Sequence, residues 1–147
     1  MSSLWRLRDR QELQARLARL SPSAPAKWGR MSAPEMVSHL VENLRMATGE
    51  LPVASRRLPL RYPPLKQFIV YLMPFPKGVP TAPELMARVP RDWPSDVRVL
   101  SAAMDFCAGR TADAGWAHHP TFGKLSHRAW GVLAYRHIDH HLRQFGV

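Results

Sequence analysis

The sequence predicts an all-α protein: a single-domain four-helix bundle over residues 1–147, with a proline-rich crossover between the second and third core helices. Three observations predict it. Apolar residues recur at helical spacing near residues 8–20, 32–48, 95–108 and 126–145. No stretch of comparable strength alternates apolar and polar residues at the strand period. Ten of the 14 prolines fall between Glu50 and Pro94, a density that forbids one long helix there.

The first helix, Arg8 to Leu20, carries an apolar stripe of Leu7, Leu13, Leu17 and Leu20, with Arg10, Arg16 and Arg19 expected to face water. Ser21 to Ala26 holds two prolines and reads as a linker. The second helix, Ser32 to Thr48, has the clearest signals. Ser32 and Glu35 are spaced as a capping box, Pro34 stands in the first turn where its missing N–H costs nothing, and Gly49 is the stop. Ala33, Met36, Val37, Leu40, Leu44 and Ala47 make its buried face, and His39 lies at the edge of that face. On this helix alone a surface-edge histidine is a better reading than one that looks into a cleft.

Within the crossover, Leu65 to Met73 keeps helical spacing through Leu65, Phe68, Ile69 and Leu72, and a second short helix is expected from Thr81, with Glu84 completing a capping box. The segment is too apolar for disorder and is expected to pack over one end or side of the bundle. The third core helix, Ser95 to Ala108, places Val97, Leu100, Ala103, Met104 and Cys107 on one face, so Cys107 reads as buried and inert rather than nucleophilic. His118 and His119, in the loop from Ala112 to Lys124, are expected to be capping or surface groups, with an approach to the site as the alternative.

Composition narrows the function classes. No apolar run is long enough to span a bilayer, and the longest, Phe68 to Phe75, is broken by Pro74. The charged N-terminus lacks the apolar core of a signal peptide. A single cysteine excludes an intramolecular disulfide, so a reducing, cytoplasmic setting is expected. The formal net charge is +10, and 17 of the 21 basic residues are arginine. The arginines are scattered over every segment, which points to a solvated surface or anionic small molecules rather than to a nucleic-acid interface.

The last helix carries the chemistry. On it Trp130, Leu133, Ala134, His137, His141 and Gln144 share a side, so two histidines one turn apart point inward. They are either a pair of core histidines, each needing hydrogen-bond partners, or part of a metal site. The spacing is not that of the zinc peptidases: Ile138 follows His137, where their glutamate base would stand.

Taken together, Trp28-Gly29-Arg30-Met31-Ser32, His39-Leu40 and the run from His137 to Gln144 resemble the DinB/YfiT-like proteins, a family of metal-binding four-helix bundles. The matching positions are Trp28, His39, His137 and His141, and the block from His119 to Gln144 resembles an uncharacterised branch. The resemblance spans residues 5 to 147 and is weakest over the proline-rich segment. It implies a divalent metal, zinc or nickel, held by His39, His137 and His141, and a reaction with a low-molecular-weight thiol. It also implies a homodimer.

Such a ligand set would leave the full 2+ charge on the ion, lower the pKa of a bound water toward about 7 and deprotonate a bound thiol outright. Asn43, His140 and Gln144, with Glu42 and Asp105, are candidates to hold the ligating rings, since each such ring donates its second N–H to an acceptor. His140 is also a candidate acid–base group. No general base for hydrolysis is evident, so a metal-dependent thiol transferase acting on a small molecule is the leading expectation. A metal-dependent hydrolase and a non-enzymatic, stress-related metal-binding bundle are the alternatives.

Overall fold

Five α-helices carry the fold: α1 (Leu7–Ala18), α2 (Ala33–Thr48), α3 (Leu65–Tyr71), α4 (Trp93–Gly109) and α5 (His127–Gln144), with 3₁₀ turns at Pro59–Arg61 and Pro83–Met86. The computed structural model describes residues 1–56, 58–78 and 80–147. Arg57 and Val79, both in the proline-rich segment, lie outside the described residues. Among the described residues there is no strand, only one isolated bridge between His119 and Gly123. The all-α class is therefore as expected, with α3 as a fifth, short helix.

Helix α2 forms as its sequence dictates. Ser32 Oγ accepts from the Glu35 amide at 3.3 Å while the Glu35 carboxylate accepts from the Ser32 amide at 2.7 Å. The Ser32 amide, and the Ser32 hydroxyl donating to the same carboxylate at 2.9 Å, hold the Glu35 carboxyl below its usual pKa. Gly49 ends the helix in the left-handed conformation, at φ 85°. Helix α4 begins two residues before the expected Ser95, because Asp92 takes the extended cap position and Pro94 fits the first turn. Helix α5 begins after Ser126, whose hydroxyl accepts from the Ala129 amide at 3.1 Å.

Two apolar clusters organise the packing. The larger joins Leu13 and Leu17 of α1, Met36, Val37 and Leu40 of α2, Leu100 and Met104 of α4, and Ile138 and Leu142 of α5. Cys107 belongs to it, and burial pushes its thiol up to about 12, so it is inert as expected. The second cluster sits at the other end of α2 and the start of α5. It takes in Met46, Ala47, Trp130 and Leu133 together with Val70 and Leu85 of the proline-rich segment. That segment is thus pinned to the bundle by two buried side chains, with Leu60, Ile69, Tyr71 and Phe75 partly buried against the same cluster.

Several expectations are corrected. Leu7 is not part of the α1 stripe: it is exposed, and Leu4 fills the core instead. Arg10 and Arg16 do not simply face water. The Arg10 guanidinium donates to Asp105 of α4 at 2.7 Å and to the Leu4 carbonyl, and Arg16 donates to Asp139 of α5 at 2.7 Å and to the Val147 carbonyl. A leucine at a helix start has no preceding turn to pack under, whereas a long arginine stem lies along apolar surface while its head finds acceptors.

Helix α3 is shorter than expected and rotated: Val70 is buried, and Leu65, Phe68 and Leu72 are exposed. Thr81 and Glu84 form no capping box; the cap position belongs to Ala82, and Pro83–Met86 is a single 3₁₀ turn.

The Ser32 cap supplies a direct check. Ser32→Ala removes an acceptor from the α2 start and is expected to lower unfolding free energy by about 1 kcal/mol. Urea denaturation monitored by circular dichroism measures it, with an unchanged slope.

Candidate metal centre

His39 comes from the middle of α2, His137 and His141 from the last two turns of α5, and their rings meet at one point. The Nε2 atom of His137 lies 3.3 Å from Nε2 of His39 and 3.1 Å from Nε2 of His141. All three ligand atoms fall within 4.8 Å of one another. His39 is 3% exposed and His141 8% exposed, so the rings have little water to serve as partner. These are the three histidines that the sequence singled out.

Two of the rings have their protons assigned by their neighbours. His39 Nδ1 faces the Leu85 carbonyl at 3.2 Å, and a carbonyl only accepts, so Nδ1 carries the hydrogen. His141 Nδ1 faces the Gln144 side-chain oxygen at 2.8 Å, while the same amide donates through its nitrogen to the Trp28 carbonyl at 2.7 Å. That second bond fixes which end of the amide meets His141, so its Nδ1 also carries the hydrogen. In their neutral forms both rings then aim an Nε2 lone pair at His137.

The Nε2 of His137 holds at most one hydrogen and satisfies at most one of those two lone pairs; the Asn43 amide nitrogen, 3.2 Å from His39 Nε2, can donate to the other. The rings stay neutral, because burial pushes all three imidazoles below their ordinary pKa and the neighbouring rings repel further charge on His137 and His141. A cation fits the point at which the lone pairs converge. Zinc–nitrogen bonds of about 2.0–2.1 Å at a tetrahedral angle put two ligand nitrogens about 3.3 Å apart, close to the spacings here. Three histidines that could hold a metal ion are therefore gathered at the bundle interior.

The supporting residues divide as follows. Gln144 orients His141, as expected of it. Asn43 braces His39: its Nδ2 lies 3.4 and 3.2 Å from the two ring nitrogens and donates to the His39 carbonyl at 3.2 Å. His140 makes no hydrogen bond to a neighbouring ring. It packs at 5.6 Å from the Trp28 ring and 5.9 Å from Phe75, and burial lowers its pKa. Glu42 and Asp105 serve elsewhere, paired with Arg45 and Arg10. Helical angle placed them roughly on the right side, but neither carboxylate bonds to a ring of the cluster.

His118 is exposed. His119 stays outside the cluster and closes the turn before α5, its Nδ1 accepting from the Thr121 and Phe122 amides at 3.1 and 3.2 Å.

Three contributors carried no sequence signal. The Leu85 carbonyl is backbone, freed by the brevity of the 3₁₀ turn. Arg136 donates to the carbonyls of Ile69, Val70 and Met73, capping the end of α3 and tying the proline-rich segment to α5 beside His137. Gly29 matters for its missing side chain: at φ 77°, a Cβ there would stand 2.7 Å from Gln144 Nε2. An arginine next to a histidine, or a glycine after a tryptophan, has many ordinary uses, so only the assembled chain shows these.

The fold and the cluster define the class: an all-helical bundle protein with an inward-facing three-histidine group. Over residues 4–146 the sequence matches the family model described as "Protein of unknown function (DUF1569)", and the chain belongs to that family. No curated protein and no solved structure matches the chain significantly. No helix among the described residues is long and apolar enough to cross a membrane.

The buried histidines set an acid limit on stability. Burial lowers the His119 imidazole from 6.5 to about 4. Between those values the unfolded chain binds the proton and the folded chain does not, so stability is complete above pH 6.5 and falls as pH drops toward 4. At roughly 1.4 kcal/mol per pH unit, His119 contributes about 3 kcal/mol to this loss. Melting temperatures between pH 7.5 and 4.5 should fall in this way, and His119→Gln should flatten the dependence.

Proposed function

We propose that the protein is a metal-dependent enzyme of the thiol (S-)transferase type. One divalent ion, zinc or nickel, is held by His39, His137 and His141, and the site is of the DinB/YfiT-like kind. The observation that carries the reading is the convergence of three neutral Nε2 atoms, two with their lone pairs turned inward by fixed Nδ1–H bonds. When bound, the ion supplies Lewis acidity at an all-imidazole site and lowers the pKa of a thiol or water that joins it.

The chain's own residues do the positioning. The Leu85 carbonyl and the Gln144 amide hold the tautomers, Trp28 and Gly29 hold Gln144, and Asn43 keeps the His39 ring from turning. His140, flanked by Trp28 and Phe75 and 5.3 Å from the His141 ring, is an ionisable group beside the cluster, and burial lowers its pKa.

The choice of thiol chemistry rests on the absence of a carboxylate in the group. Hydrolysis by a bound water, even with its pKa lowered toward about 7, is aided by a base that takes up a proton. A bound thiol is deprotonated outright and attacks without one. Imidazole ligands suit zinc and nickel alike, so the ion's identity follows from availability and is read by elemental analysis.

The chain purified without chelator is expected to carry one zinc or nickel per protein by mass spectrometry of the elements. His39→Ala, His137→Ala and His141→Ala should each lose it while keeping helical circular dichroism. Calorimetry should then show glutathione binding to the loaded chain and not to the chelated one. Metal uptake without any thiol heat would leave a metal-binding bundle and remove the transferase.

The residues behind the ligands give a graded test. Gln144→Leu frees the His141 ring and is expected to weaken metal affinity about 10- to 100-fold. Gly29→Ala should act in the same direction by pushing Gln144 away. Competition against a chromophoric chelator measures both.

A further inference from the structure

A cavity of about 450 Å³ lies between α2 and the turn before α4, lined by Glu42, Arg45, Ala87, Arg88, Val89 and Arg91. Its volume is in the range of about 300–1,000 Å³ that holds small ligands. A smaller cavity of about 150 Å³ shares Arg88 and Val89 with it and is bounded by Glu35, Met86, Pro90 and His39 itself. Arg88 and Val89 thus stand between an arginine-lined cavity and a smaller one that reaches a histidine of the cluster.

The charge of the larger cavity is not cancelled by its own wall. Glu42 is buried and engaged with Arg45 at 3.0 Å. Asp96, behind the wall and 2% exposed, accepts from the Arg91 amide at 2.7 Å and from Arg88 Nη2 at 3.4 Å. These bonds fix the backbone of the 88–91 turn and the direction of the Arg88 stem. They leave Arg88 Nε buried with no acceptor. The Arg91 guanidinium has no partner among the described residues. A buried guanidinium N–H without an acceptor is costly, and a second, exposed guanidinium on the same cavity wall adds charge suited to an anion. Val89, Ala87 and Met86 add an apolar wall for the rest of such a molecule.

We infer that this cavity is the recognition pocket for the anionic end of the substrate, a carboxylate- or phosphate-bearing small molecule gripped by Arg88 and Arg91 and directed toward His39. The assignment rests on the proposed function in taking the histidine cluster as the reactive centre, and it names the chemistry of what reaches it.

Titration of the full chain with inorganic phosphate, and separately with succinate, tests it by nuclear magnetic resonance at about 0.15 M salt, where diffuse surface attraction is screened. The amides of Ala87, Arg88, Val89 and Arg91 and the ring signals of His39 should move saturably with one midpoint. The stronger of the two ligands identifies the anion class. Arg91→Gln is expected to weaken binding about tenfold, and Arg88→Lys likewise, since one ammonium cannot replace the fork. Arg8→Gln and Arg19→Gln, on the exposed side of α1, should leave the midpoint unchanged.

If the 87–91 amides stay still, or if the Arg91 and Arg88 variants titrate like the parent chain, the assignment is overturned. Still His39 signals would separate the cavity from the cluster and overturn it as a substrate pocket. Metal content measured on the same samples keeps the two readings apart. A chain that holds its metal but not the anion loses this assignment alone. A chain that binds the anion through Arg91 but takes up no metal supports the pocket and sinks the proposed reaction.

Discussion

Three imidazoles meet at one buried point, and every other feature near them answers to that constraint. A buried ring nitrogen without a partner is costly, so each of six must be accounted for. The Leu85 carbonyl and the Gln144 oxygen settle two of them as donors. Fixing those donors leaves the matching Nε2 atoms as acceptors, and both aim at His137, which can answer only one, with the Asn43 amide in reach of the other. Local satisfaction on the outside of the cluster thus turns two lone pairs toward its centre. An isolated core histidine would be stabilised by the same bonds without producing any such centre.

The constraint reaches outward through packing. Gln144 is held by the Trp28 carbonyl, so the linker after α1 must return to α5 near its end, and Gly29 must stay bare for the two to touch. The Leu85 carbonyl arrives only because the Leu85 side chain is seated in the second apolar cluster with Val70. Arg136 holds α3 at its last carbonyls, one residue before His137. The proline-rich segment is therefore part of the site. Its prolines break it into short turns, and short turns leave backbone carbonyls free to serve a side chain.

Much of the fold was legible because the signals were local. The capping box at Ser32 and Glu35, the stop at Gly49 and the inward face of α5 each depend on residues within one or two turns. The histidines of the cluster were legible for the same reason, once two amphipathic faces were expected to pack together. What was not legible required knowing which element lies beside which. Arg10 and Arg16 were read as solvated because nothing in their own helix offers an acceptor; Asp105 and Asp139 come from elsewhere in the chain. Glu42 and Asp105 were plausible partners for the histidines by helical angle, and lost that role to nearer arginines. Helix α3 was rotated from its expected face because Val70 alone found a pocket.

The arginine excess has an explanation beyond a solvated surface. Arg10 and Arg16 tie α1 to α4 and α5, Arg136 ties α3 to α5, and Arg88 answers the buried Asp96. A planar head with five donors can serve a carboxylate and a carbonyl at once, which one ammonium does less well. A bundle whose connections are proline-rich has many free carbonyls to satisfy, and arginine reaches them from the helices. Arg88 and Arg91 differ in place: they lie on the segment that supplies the His39 acceptor, and each keeps a donor without an acceptor among the described residues. The turn that sets the tautomer of His39 also presents unspent guanidinium groups to the cavity behind it. Orientation of the cluster and recognition of an anion are thereby placed on one short stretch of backbone, Leu85 to Arg91.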